Sequence, residues 1–177
     1  MTEKPIIKVF IQSNLKGPAK REGRFVFVLQ FVSSNGMTAE LNGGGMLFNV
    51  GENELFLGAL IEALSHIQKS SNIIFYVENE YFKNTYLNGW LKEWKKLGWR
   101  RSNGAALANA MLWRRVDELL LRHVVSFDQT GENEFCRWLN SELLLASTCF
   151  VQKYFGDTVR QRLKSVEDLI KKEGGIV

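Results

Sequence analysis

The chain has 177 residues, of which 45% are hydrophobic and 24% charged, and its formal net charge is +4. These values suit one globular domain and exclude a disordered or collagen-like chain. No apolar run approaches the ~18 residues of a membrane helix, and the N-terminal residues lack the pattern of a signal peptide. Cys136 and Cys149 match no metal-binding spacing, so we expect free thiols in the cytoplasm or another reducing compartment.

The first part of the chain predicts three strands and a helix. Apolar, β-prone residues predict strands over Ile6–Ile11, Arg24–Val32 and Met37–Leu41, joined in hairpin order and therefore antiparallel. The glycines at 43–45 predict an interruption of the third strand. Apolar residues at helical spacing then predict a helix over Glu52–Gln68.

The second part alternates strands with helices. Ile73–Val77 predicts a buried strand with Glu78 at its carboxyl end, and Val124–Phe127 predicts a last short strand. Two or more helices are expected between them, a helix is expected over Thr130–Leu145, and an amphipathic helix over Thr158–Lys172. This order predicts a mixed α/β fold of three layers with an antiparallel start to the sheet.

Four of the five tryptophans lie within residues 88–121, beside a dense run of basic residues. On a helix Trp90 and Trp94 share one face and the nearby lysines another, and Gly98 predicts the end of that helix. Such a helix could bind a phosphate backbone. It could equally be a solvated lysine face above an aromatic core contact.

Several segments together resemble type 1 ribonuclease H. NGWLKEWKKLGW is similar to the basic protrusion that grips the RNA/DNA hybrid in bacterial members, and LWRRVDELL is similar to the helix that follows. ENELFLGALIEAL, IIFYVENEYF and NEFCRWLNSEL resemble the first helix, fourth strand and last core helix, in the correct order.

The resemblance implies a five-stranded mixed sheet whose first three strands are antiparallel, with helices on both faces. It implies a ribonuclease H-like domain over residues 1–149 and a C-terminal helical extension over 150–177. It also implies nucleic-acid contacts, with Lys92 peripheral. The resemblance implies contacts by Trp90, Trp94, Lys95, Lys96, Trp99 and Asn109, and the basic run of the same segment adds Lys92, Arg100 and Arg101.

The family's catalytic centre holds two magnesium ions with four carboxylates. At those positions this chain carries Gln12, Glu54, Glu78 and Arg137. A neutral amide is a poor bridge between two dications, and an arginine is a permanent cation. We therefore expect no metal, and we expect Arg137 to pair with Glu54, Glu78 or both.

Three functions remain open. The chain could be a nucleic-acid-binding protein that has lost two-metal nuclease activity, with an RNA/DNA hybrid, double-stranded RNA or DNA as ligand. It could be an active divergent ribonuclease H, with Mg²⁺ or Mn²⁺ held by Glu54 and Glu78 and by Gln12, Asp128 or Glu134. It could also be a scaffold that binds a protein partner through the C-terminal helix. A membrane partner is not expected.

Overall fold

Five strands form one mixed sheet in the computed structural model, which describes residues 3–128, 133–145, 147–154, 168, 170 and 171. The strands are β1 (Ile6–Ser13), β2 (Arg21–Val32), β3 (Thr38–Val50), β4 (Asn72–Tyr76) and β5 (Val124–Phe127). Their spatial order is β3-β2-β1-β4-β5. The pairs β1–β2 and β2–β3 are antiparallel, whereas β4 runs parallel to β1 and β5 parallel to β4. The predicted sheet is thus confirmed.

Helices cover both faces of this sheet. They are α1 (Glu52–Ser65), α2 (Glu80–Leu87), α3 (Trp90–Lys96), α4 (Ala110–Leu120), α5 (Cys136–Leu143) and α6 (Ser147–Tyr154). The side chains of β1 alternate between two cores, because successive residues of a strand point to opposite faces. Val9 joins the larger core beneath α1 and α4, and Phe10 joins the smaller core beneath α5 and α6. The three-layer arrangement is therefore confirmed as well.

The glycine run at 43–45 does not interrupt β3, contrary to the sequence-based expectation. Gly43 lies opposite Phe27 on β2, and a Cβ atom at Gly43 would lie only 2.5 Å from the ring of Phe27. A Cβ atom at Gly44 would lie 2.7 Å from the carbonyl oxygen of Phe25 and 3.1 Å from the ring of Tyr154. These glycines leave room for two aromatic rings, one on each face of the strand.

Other boundaries differ from expectation. The helix predicted over Thr130–Leu145 is observed as α5, and residues 129–132 lie outside the described part of the chain. Helix α2 was not predicted separately; its N-cap Asn79 accepts a hydrogen bond from the backbone N–H of Phe82 at 2.8 Å. Helix α6 was not predicted either. Most of the helix predicted over Thr158–Lys172 lies outside the described residues. The expectation that this helix binds a protein partner therefore stays a prediction.

Helix α6 crosses the expected boundary between residues 149 and 150. Phe150 is fully buried and Tyr154 is 4% exposed, and both belong to the core that α5 covers. Division of the chain into units 1–149 and 150–177 stays a prediction. Within the residues that the structure describes, no helix has the length and apolar character required to cross a membrane.

We predict that Gly43→Val lowers the free energy of unfolding by about 1–3 kcal/mol, because the new side chain overlaps the Phe27 ring. Ala39→Val is the matched control, since Ala39 is exposed on the same strand and the change should stay within about 0.5 kcal/mol. Urea unfolding of both variants measures the difference. Equal midpoints would show that the Phe27 ring does not restrict residue 43.

Candidate functional site

The carboxyl ends of β1 and β4 lie side by side, because the two strands are parallel with Phe10 opposite Tyr76. Gln12 and Glu78, each two residues further on, line one depression together with Lys16 and Glu52; we call it the cleft. Open α/β sheets bind ligands outside the carboxyl ends of their strands. The structure therefore brings two of the four predicted ligand positions together.

Gln12 and Glu78 differ in what holds their side chains. The Gln12 amide donates a hydrogen bond from Nε2 to Asn140 Oδ1 on α5 at 3.0 Å. Glu78 is exposed, and no hydrogen bond or ion pair engages its carboxylate within the described ranges. The first ligand position is thus a neutral amide held by a second amide, while the third is an unpaired anion.

Glu54 does not line the cleft, contrary to expectation. Its carboxylate accepts a hydrogen bond from the backbone N–H of Gly51 at 3.3 Å and lies 3.4 Å from Lys20 Nζ. It lines a neighbouring depression with Gly17, Lys20 and Asn109, which we call the side depression. Residues two apart on a helix point about 200° from one another, so only one of Glu52 and Glu54 can face the strand ends.

Glu52 is the cleft residue that sequence reasoning missed. One carboxylate oxygen accepts a hydrogen bond from the backbone N–H of Gly17 at 2.6 Å, and the other lies 3.9 Å from Lys16 Nζ. Two glutamates stand in the first turn of α1, which is the only sequence signal for this alternative. Choosing between them requires the rotation of the helix, which the sequence pattern does not specify.

Arg137 does not neutralise the glutamates, so that part of the sequence-based hypothesis is wrong. Its side chain is exposed on α5 and forms no ion pair with Glu54 or Glu78, all three being described residues. One turn later on α5, Asn140 contacts Gln12 instead. The cations beside the α1 carboxylates come from the β1–β2 loop, as Lys16 and Lys20.

These donors do not fit a two-magnesium centre. No three His, Cys, Asp or Glu side chains within the described ranges are placed to hold a metal ion. Magnesium prefers anionic oxygen ligands in near-octahedral geometry. Here one ligand position is an amide, one is a cation, and Glu54 is paired with Lys20. The described side chains thus supply only Glu78 as an unengaged carboxylate at the four positions.

Asp128, considered as an additional ligand, is engaged by Tyr76 at the end of β4. Burial raises the pKa of Tyr76, and so do a hydrogen bond to Asp128 and the negative charges of Asp128 and Glu134. The Tyr76 ring also stacks on Phe10, with ring centroids 4.7 Å apart. This arrangement keeps the phenol protonated beside the cleft.

The predicted basic helix is confirmed as α3, which ends before Gly98, a glycine with φ of 64°. Trp94 packs edge-on against the buried Trp113 at 5.5 Å, and Trp99 also packs against the larger core. Trp90 lies 6.2 Å from Trp94 and is 39% exposed. The tryptophans therefore mainly anchor α3, and Trp90 alone offers much of its ring to solvent.

The cations of this segment differ in whether a carboxylate neutralises them. Lys95 lies 3.1 Å from Asp117 on α4, and Lys96 lies 3.0 Å from Glu93. Lys92 and Arg101 are exposed and have no carboxylate partner among the described residues, while Arg100 donates to the carbonyl oxygen of Gly104 at 3.4 Å. Lys92, expected to be peripheral, is thus one of the least neutralised cations.

Asn109 connects the basic segment to the side depression. It is the N-cap of α4, with φ of 59°, a left-handed conformation that asparagine tolerates better than most residues. It lines the side depression with Lys20 and Glu54. Of the predicted contact residues, Asn109 is thus the one that lines the side depression at the N-termini of α4 and α1.

Comparison with known proteins identifies the family. The family model described as RNase H matches residues 21–130. The chain belongs to the type 1 RNase H family. It is 34% identical over 95 residues to Ribonuclease HI of Haemophilus ducreyi, which covers 50% of this chain and 61% of that protein. It is 33% identical over 108 residues to Ribonuclease H of Nitratidesulfovibrio vulgaris, covering 58% and 68% of the two chains.

Solved structures show the same fold as this RNase H chain. LC9-RNase H1, a type 1 RNase H with the type 2 active-site motif, superposes with a TM-score of 0.66 at 14% identity, covering 92% of this chain and 87% of its own. A foamy viral protease-reverse transcriptase, solved with double-stranded DNA, gives 0.56 at 11% identity, covering 82% and 93%. The chain spans about three-fifths of the first curated relative, 61% of its length.

We predict that Asp128→Asn lowers the pKa of Tyr76 towards its ordinary value of 10.0. The variant lacks the negative charge of Asp128 and the charged oxygen that accepts the hydrogen bond of the phenol. The folded pKa is raised, so Tyr76 stabilises the fold below pH 10.0 and loses that contribution as pH rises through the folded pKa. Tyrosinate absorbance during alkaline titration measures the change. Glu118→Gln, on α4, is the control, and an unaltered titration in Asp128→Asn would contradict the prediction.

Proposed function

We propose that this RNase H-family chain binds a nucleic-acid duplex and has lost two-metal nuclease activity. The observation that carries the proposal is the hydrogen bond from Gln12 to Asn140 at the first ligand position. An amide committed to a second amide offers no anionic oxygen to bridge two metal ions. Lys20 beside Glu54 and the exposed Arg137 support the same conclusion.

Binding would depend on the exposed cations and on the position of α3. Lys92 and Arg101 extend into solvent from a segment that Trp94 and Trp99 fix to the core. Exposed lysine and arginine side chains attract backbone phosphates and release counterions when they bind. The ligand is an RNA/DNA hybrid, double-stranded RNA or DNA; the foamy viral neighbour was solved with both double-stranded DNA and an RNA/DNA hybrid.

An active divergent ribonuclease H is the second candidate. The curated relatives carry the names Ribonuclease H and Ribonuclease HI, and Glu52 and Glu78 share the cleft. In an active enzyme these two carboxylates would be the ligands of Mg²⁺ or Mn²⁺. The two candidates differ in one measurable property, hydrolysis of the RNA strand.

We predict no hydrolysis of a labelled RNA/DNA hybrid in Mg²⁺ or Mn²⁺ above the level of a Glu78→Gln variant. The reason is that Glu78 is the one unengaged carboxylate among the described residues of the cleft, since Glu52 is already engaged by Gly17 and Lys16. Ribonuclease HI of Haemophilus ducreyi serves as the positive control. Turnover by the unaltered chain that Glu78→Gln abolishes would contradict the proposal and establish the second candidate.

We predict that Lys92→Glu combined with Arg101→Glu weakens hybrid binding by on the order of tenfold near physiological salt. Loss of two phosphate contacts should also reduce the slope of log affinity against log salt by about 1.8. Fluorescence anisotropy over a salt series measures both. Lys4→Glu combined with Lys69→Glu is the charge-matched control, because both lysines are exposed beyond the amino ends of β1 and β4, opposite the cleft. An equal loss of affinity in the two variants would indicate that net charge, and not these two side chains in particular, accounts for the effect.

A further inference from the structure

The loop between β1 and β2 places two lysines beside the first turn of α1. Lys16 Nζ lies 3.9 Å from Glu52, and Lys20 Nζ lies 3.4 Å from Glu54. The lysine side chains are 73% and 55% exposed, whereas those of the two glutamates are 29% and 18% exposed. Each ammonium group is therefore open to solvent on the side away from its carboxylate.

Backbone contacts hold this loop against α1. Gly17 N–H donates to the Glu52 carboxylate at 2.6 Å, and Glu52 N–H donates to the Gly17 carbonyl oxygen at 3.1 Å. Gly51 packs so closely that an added Cβ atom would lie 3.1 Å from the Pro18 carbonyl oxygen. The two lysines thus extend from a fixed loop, which reduces the entropy lost when they bind a ligand.

The position of the loop connects it with the basic segment. Lys20 shares the side depression with Asn109, the N-cap of α4. Arg100 forms an isolated β-bridge with Ala106, three residues before Asn109. A nucleic-acid backbone lying along Arg100 and Asn109 would next reach Lys20.

We propose that Lys16 and Lys20 form a second binding site for backbone phosphates, and that Glu52 and Glu54 compete with those phosphates for the two ammonium groups. This inference rests on the proposed function, since it requires a duplex ligand. On binding, each ammonium group exchanges a carboxylate for a phosphate, and no divalent ion takes part. Exposed ion pairs contribute little free energy, so a polyanion can displace the carboxylate.

If Glu54 competes with phosphates, removing its charge should change duplex affinity in the opposite direction from removing a metal ligand. Removing its charge releases Lys20 and removes repulsion of the phosphate, so affinity for a duplex rises. Removing a ligand from a metal-dependent site would instead lower affinity in Mg²⁺. Glu54→Gln keeps an oxygen that can accept the hydrogen bond from Gly51, so the N-terminus of α1 keeps its capping contact.

The test measures hybrid binding by anisotropy in a chelator, without divalent ions, for Glu54→Gln, Lys20→Gln and the double variant. We expect Glu54→Gln to bind about two- to fivefold more tightly, the range that one exposed ion pair accounts for. Lys20→Gln should bind more weakly and lower the salt slope by about 0.9. In the double variant the part of the gain that comes from releasing Lys20 should disappear, so Glu54→Gln should raise affinity less than it does in the presence of Lys20.

Glu118→Gln is the control for net charge, since it also removes one anion that pairs with a cation, Arg115 at 3.1 Å. Glu118 lies nine residues along the chain from Asn109, about 13 Å along α4. Thermal unfolding of each variant checks the fold. Equal gains in Glu118→Gln and Glu54→Gln, or unchanged affinity in Lys20→Gln, would overturn the inference. If Lys92 and Arg101 matter while Lys20 does not, only the second site fails; if none matters, the proposed function fails.

Discussion

Parallel pairing between β1 and β4 fixes where Gln12 and Glu78 meet in the cleft. Phe10 lies opposite Tyr76, and their rings stack with centroids 4.7 Å apart on the face that α5 covers. The same register carries Gln12 and Glu78 to adjoining strand ends, two residues further along each chain segment. Because α5 packs on this stack through Phe135, Asn140 of the same helix comes within hydrogen-bonding distance of Gln12. Apolar stacking thus determines which polar groups meet.

The two α1 carboxylates at and beside the cleft are paired with protein cations, whereas Glu78 has no such partner among the described residues. Two carboxylates in the first turn of a helix are favourable, since the N–H groups there present partial positive charge. The loop from Lys16 to Lys20 adds an ammonium group beside each carboxylate. Such exposed pairs contribute about 0–1 kcal/mol each, so their main effect is on what can approach the site. At Glu52 and Glu54 a dication meets carboxylates that are already paired, whereas a phosphate would meet ammonium groups that are partly exposed.

Much of the fold could be predicted from the sequence, because periodicity and turn residues act locally. Val124–Phe127 was predicted at its observed bounds, and Gly98 ends α3 as expected. The glycines of β3 were misread because their reason is tertiary: they accommodate Phe27 and Tyr154. At the site, Gln12 and Glu78 could be placed together through the resemblance to type 1 ribonuclease H, but the rotation of α1 that selects Glu52 over Glu54 could not be predicted. Neither could the partners of Lys95 and Lys96, since ion pairs depend on which helices adjoin.

The basic segment shows why counting lysines overstates a binding surface. Lys95 contacts Asp117 and Lys96 contacts Glu93. Two of the five basic residues between positions 92 and 101 are therefore already paired with carboxylates. Trp94 contributes by packing on Trp113, which fixes α3 against α4 rather than offering its ring to a base. A surface with rigid supports and exposed cations recognises phosphates and their spacing, because it presents few groups that can read base edges. Under the proposed function, affinity on such a surface would depend on salt and on duplex geometry, and the exposed cations at 92, 101 and 20 would contribute more than the paired Lys95 and Lys96.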